Sequence, residues 1–134
     1  MAKKSWAMKF NNRATCEVKQ LDKTFWGMPV GSKMLIPTPK LIEDYINSSE
    51  PGSTIDVKTM RNDLAIEYQA DFTCPLTTGI FLRIVAEANF EKLSEDSAAP
   101  ICPFWRMVDP QSDLAKKLSF GTDFIVQMRA KEKV

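Results

Sequence analysis

Proline and glycine decide most of what this chain can become, because they cut it into pieces of limited length. Gly27, Pro29, Gly31, Pro37 and Pro39 crowd the stretch "FWGMPVGSKMLIPTP". Residues 1–37 therefore predict an irregular or short-stranded extension without a long helix. Within it "CEVKQL" alternates weakly and suits an edge strand. The apolar residues of the broken stretch predict a strap packed over the core.

The pieces after Pro37 are of helical length. Thr38 is a good N-cap, and Pro39 fits the first helical position, where its missing N–H costs nothing. Leu41, Ile42, Tyr45 and Ile46 then form one apolar stripe, and "SSEPGS" ends the helix near residue 48. A second helix opens at Asp56, with Val57, Met60, Leu64, Ala65 and Tyr68 inward and Lys58, Arg61, Asn62 and Glu67 outward. "QADFT" predicts a short connection and Thr73 the cap of a third helix, with Pro75 in its first turn. That helix runs to about residue 93, and Leu76, Ile80, Phe81, Ile84, Val85 and Ala88 predict a wide buried face. "ICPFWRMV" has the character of a strand, "DPQSD" of a turn. A last helix over 122–131 turns Phe124, Ile125 and Met128 inward. The expected fold is α/β, mainly α, with the second and third helices as a helix-turn-helix.

What the chain lacks limits its chemistry. It has no histidine, the commonest general base and the usual activator of a Ser or Cys nucleophile. Cys16, Cys74 and Cys102 are far apart and form no CxxC pair, so neither a disulfide framework nor a zinc site is expected. No metal or cofactor is expected. No apolar run reaches membrane-spanning length, and "MAKKSWAMKF" lacks a signal-type apolar stretch, so the expectation is a cytoplasmic chain without membrane contact. Eighteen basic and 17 acidic residues leave a net charge of +1, which argues against tight nonspecific DNA binding. Residues 1–40 are the basic part, with Lys3, Lys4, Lys9, Arg13, Lys19, Lys23, Lys33 and Lys40 against Glu17 and Asp22.

Five stretches stand in a familiar order: "TPKLIEDYI", "EPGSTIDVKTMRNDLA", "LRIVAEA", "PFWRMV" and "KLSFGTDFIVQMRAKE". From Thr38 to the C-terminus the chain resembles the C-terminal winged-helix domain of alkylguanine-DNA alkyltransferases and alkyltransferase-like proteins. The resemblance divides the chain into an extension, 1–37, and a winged-helix domain, 38–134, and it implies double-stranded DNA as partner. It also implies lost chemistry. Phe104 stands at the acceptor cysteine's position and Trp105 at that of the histidine which takes its proton. Val57 replaces the tyrosine that pushes on the DNA backbone, and of the usual glycine pair only Gly121 remains, beside Phe120.

The candidate contacts each carry two readings. Arg83 matches the arginine that fills the space of an extruded base, or it pairs with Glu87 four residues on. Thr77 and Thr78 suit phosphate contact at a helix start, or they only continue the helix. Ser53, Thr54 and Lys58 sit where the family touches phosphates, or they form a solvated helix start. Phe104 and Trp105 line a pocket that stacks a flipped base, or they fill the core where catalysis was lost. Arg106 matches a structural arginine that pairs with a carboxylate. The function implied is non-catalytic DNA binding, with damaged, alkylated DNA as the target. Two alternatives stay open: a protein-interaction module on the same fold, and a suicide alkyltransferase that uses Cys102.

Overall fold

Lys33, Met34 and Leu35 organise the chain because their backbone is paired on both sides. In the computed structural model, which describes residues 5–11 and 15–133, strand β2 (Lys33–Ile36) pairs antiparallel with β1 (Glu17–Gln20). Its other edge pairs parallel with β3 (Phe72–Thr73), Met34 opposite Phe72 and Leu35 opposite Thr73. A parallel pair needs a crossover, and helices α2 (Pro39–Asn47) and α3 (Val57–Glu67) supply it. The architecture is mixed α/β and mainly helical, with one three-stranded sheet in the order β1-β2-β3.

Two sequence expectations are corrected here. Residues 33–36 are the central strand rather than a strap, and "QADFT" ends in a strand rather than a plain connection. Long-range bonds explain both. The Lys33 amide donates to the Asp71 carboxylate at 2.7 Å, the Asp71 amide to the Lys33 carbonyl at 2.8 Å, and the Cys74 amide to the Leu35 carbonyl at 2.8 Å. Met34 and Leu35 are both buried.

The helices follow their caps. The Leu41 amide donates to Thr38 Oγ1 at 3.1 Å, and Ile42 and Ile46 are fully buried. Asp56 stands at the N-cap of α3, which buries Met60, Leu64 and Ala65. Helix α4 (Pro75–Glu95) is capped by Cys74, not Thr73, whose hydroxyl instead donates to the Arg61 carbonyl. It is the central helix, and α2 and the short α1 (Trp6–Asn11) pack on it. Two short elements were not foreseen: α1, and α5 (Asp113–Lys117), which continues the turn at "DPQSD". Helix α6 (Asp123–Glu132) buries Ile125. Among the described residues no helix is long and apolar enough to cross a membrane.

"ICPFWRMV" is not a strand. Phe104–Arg106 form a 3₁₀ turn, with the Arg106 amide donating to the Pro103 carbonyl at 3.1 Å and the Met107 and Val108 amides to the Phe104 carbonyl at 3.0 Å. Phe104 to Val108 are buried without a break, and a run buried at every position does not distinguish a strand from a helical turn by its period. Pro103 lacks a donor for a ladder, and the local bonds satisfy the backbone within the core.

The turn holds the C-terminal helix through one ion pair. Arg106 Nε and Nη2 donate to the two Glu132 carboxylate oxygens at 3.0 Å each, and Nη1 donates to the Ser49 carbonyl at 2.9 Å. This is the carboxylate partner expected of Arg106. The bond from Arg106 holds the Glu132 carboxyl below its usual value, with smaller help from Trp105 and the Gly52 amide. A depressed carboxyl stabilises the fold fully above about pH 4.5, its unfolded value, and that stability is lost as pH falls through the folded value. Glu132→Gln is therefore expected to cost roughly 3 kcal/mol at pH 7 and to flatten the acid limb of stability, measured by urea unfolding at neutral and acid pH.

Candidate functional site

The first half of α4 is apolar on more sides than the core can cover. Leu82, Ile84 and Val85 are buried, but Leu76 and Ile80, one turn apart, are 51% and 50% exposed. The expectation that both belong to the buried face is corrected. With Gly79 and Arg83 they form the floor of an open cavity of about 530 Å³. Its walls are Trp6 and Lys9 of α1, Trp26 of the segment between β1 and β2, and Leu114 and Lys117 of α5.

Each wall has a local cause. The Trp6 and Ala7 amides donate to the two Glu91 carboxylate oxygens at 3.1 and 3.2 Å, which docks α1 on α4. Lys9 Nζ lies 4.1 Å and Arg83 Cζ 5.3 Å from the Trp6 ring centre, both within cation–π range. Trp26 and Gly27 have φ of 51° and 81°, and Phe25 and Met28 exchange backbone bonds of 3.1 and 2.9 Å. That is the geometry of a tight type I′ hairpin turn, and it carries the Trp26 indole 65% exposed at its tip. The lining holds three cations, Lys9, Arg83 and Lys117, and no carboxylate among the described residues.

Arg83 lies beside Glu87, the partner weighed from the sequence, without bonding to it. Its Nε is 3.7 Å from Glu87, too long for a hydrogen bond, and its side chain is 36% exposed. The buried Glu87 carboxylate is engaged elsewhere, accepting from the Ser119 amide at 2.9 Å and hydroxyl at 2.5 Å. The guanidinium is thus steered by Glu87 and Trp6 while it faces the groove.

The other candidates do not gather around it. Thr78 is buried and its hydroxyl donates to the Cys74 carbonyl at 2.7 Å, which corrects its reading as a phosphate contact. Thr77 is half-buried, with its amide donating to Cys74 Sγ at 3.5 Å. The Ser53 hydroxyl donates to the Glu50 carbonyl at 2.6 Å. Lys58 is exposed on α3, and Thr54 lines a separate cavity of about 310 Å³ with Val57, Met107 and Arg129. Leu114 is common to both cavities, so α5 stands between them.

Phe104 and Trp105 do not line a base pocket, and that expectation is corrected. Phe104 has no exposed surface, and its ring lies 5.7–5.9 Å from those of Trp105, Phe120 and Phe124. The pair fills the core, the alternative weighed from the sequence. Cys102 is buried beside them. Its amide donates to Asn89 Oδ1 at 2.9 Å and its Sγ lies 3.8 Å from the Glu43 carbonyl. Burial, and after it the Glu43 carboxylate, push the thiol up to about 12. No group of three or more His, Cys, Asp or Glu able to hold a metal occurs among the described residues.

Sequence reasoning missed Trp6, Lys9, Trp26 and Lys117. A surplus of apolar residues around α4 and a tryptophan before glycine in a hairpin turn were the available signals. No protein-family model, curated protein or solved structure matches the chain.

The thiol geometry is open to measurement. Iodoacetamide at pH 8 is expected to leave Cys102 unmodified in the native protein and to modify all three cysteines after denaturation, as read by peptide mass mapping. Equal rates at Cys102 in both states would contradict the burial described.

Proposed function

We propose that this chain is a non-catalytic DNA-binding protein of the alkyltransferase-like kind. On this reading residues 38–134 are a variant winged helix, with α3 and α4 as the helix-turn-helix pair and α4 as the recognition helix. The observation that carries it is the groove on α4, where Arg83, Lys9 and Lys117 stand without a carboxylate among the described lining residues. Like charges gathered on a concave surface attract phosphate and raise its local concentration.

On this reading the phosphate-facing side differs from the one the resemblance implies. On α3, Lys58 and Arg61 are balanced by Asp63 and Glu67. The cationic side instead joins α1, the first half of α4 and α5. Chemistry on the base has no support in the side chains: a phenyl ring stands where the acceptor sulfur would be, and the neighbouring Cys102 thiol stays protonated at neutral pH. Recognition without transfer is what remains, with alkylated guanine the lesion to which the resemblance points.

A second reading, a protein-interaction module, is favoured by one observation. Leu76, Ile80 and Trp26 expose apolar surface in the same groove, and such a patch suits a protein partner.

Fluorescence anisotropy with a labelled duplex, with and without an alkylated guanine, separates the readings. DNA binding is expected to weaken with salt with a log–log slope of roughly −3, from about −0.9 per phosphate for three cations. Arg83→Gln is expected to weaken it several-fold, and the intact mass of the protein is expected to stay unchanged by the alkylated duplex. Binding to neither duplex at low salt would leave the protein-partner reading.

A further inference from the structure

Trp26 is held where a bulky side chain rarely stands. A left-handed backbone costs a non-glycine residue roughly 1–2 kcal/mol, and at 65% exposure the indole recovers little of that by burial. Strain kept at an exposed aromatic position, beside a cavity, points to use by a ligand. The indole belongs to the extension, outside the stretch that resembles a DNA-binding domain, yet it faces the same cavity as Arg83.

The two indoles have different tasks. Trp6 already carries two cations near its ring, Lys9 at 4.1 Å and Arg83 at 5.3 Å. It fixes charged heads in place. The ring of Trp26 has the tilted Phe25 ring as its one aromatic neighbour among the described residues, at 6.2 Å between centres. Below it, Leu76 and Ile80 offer an apolar floor. An open aromatic face, an apolar floor and three cations without an acid suit a flat, apolar-faced group linked to phosphate. Stacking platforms with cationic flanks are the recurrent means of holding single strands. A base inside a duplex has both faces covered by its neighbours, so only an unpaired base can present one to Trp26.

We propose that the cleft between Trp26 and Trp6 takes one unpaired base of a single-stranded nucleic acid, stacked on Trp26, with flanking phosphates on Lys9, Arg83 and Lys117. The proposal rests on the preceding reading in taking nucleic acid as the partner. It adds that the extension supplies the base-holding group and that the strand is unpaired there.

The test uses the full chain and its own tryptophan fluorescence, for which buried Trp105 is an internal reference. The probes are a short oligothymidylate, an abasic phosphodiester of the same length, and the oligothymidylate paired in a duplex. Oligothymidylate is expected to quench the emission and to bind roughly ten-fold or more tightly than the abasic strand. Trp26→Asn keeps a residue that tolerates the left-handed backbone. It is expected to lose that factor while its affinity for the abasic strand and its salt slope stay unchanged. Equal affinity for the two strands in the unaltered protein would overturn the proposal, as would undiminished oligothymidylate binding by Trp26→Asn. If the duplex still binds in either case, the DNA-binding reading survives alone. Binding to no probe removes both.

Discussion

Three polar side chains on one buried helix hold this molecule together. Glu87 and Glu91, four residues apart, share one face of α4, and Asn89 between them lies on the opposite side. Each accepts a backbone amide from a segment that has no ladder of its own: Ser119, Cys102 and Trp6 respectively. Glu91 takes a second amide, from Ala7, and Asn89 also donates to Glu43 of α2 and to the Val85 carbonyl. An amide left unpaired in such surroundings costs about 1–3 kcal/mol. Helix α4 thereby fixes the loop before α6, the aromatic turn and α1 at once. Hydrophobic burial supplies the bulk of the stability, but these bonds decide which segment lies where.

The same arrangement divides the helix into an anchoring half and a half with an uncovered outer side. The second half of α4 spends its polar groups on anchoring. The first half has Leu76, Gly79, Ile80 and Arg83 on its outer side, and the anchored segments bring Trp6, Lys9 and Lys117 around them. The aromatic cluster of Phe104, Trp105, Phe120 and Phe124 lies within the core. Rings that would have been plausible ligand platforms from their sequence position are thus structural, and the exposed indole is that of Trp26, in the turn between β1 and β2.

Local chemistry was legible in the sequence and long-range chemistry was not. Thr38 before Pro39, the stripe of Leu41, Ile42, Tyr45 and Ile46, and Asp56 before Val57 all write a helix start or face into adjacent residues, and α2 and α3 begin where these signals stand. The weak alternation of "CEVKQL" marks β1. Residues 33–36 and 72–73 gave no such sign, because their pairing depends on Asp71 and Lys33 meeting across the fold. The run from Phe104 to Val108 is buried throughout, and a run without period carries no information about conformation. For the site, Arg83 was found by its place in a motif. Trp6, Trp26 and Lys117 belong to segments distant in sequence, and only the docking of α1 and α5 on α4 brings them together.

The bond between the Trp6 amide and Glu91 spans 85 positions of the chain. During synthesis the first indole leaves the ribosome long before its anchor exists, so this edge of the groove is completed only after the central helix has formed. Closing so long a loop is among the slower steps of folding. A six-residue helix with no fully buried residue belongs to the least stable part of the structure. Competition for a single carboxylate, by a solute or by another chain's amides, would detach this wall and reshape the groove while the core stays folded.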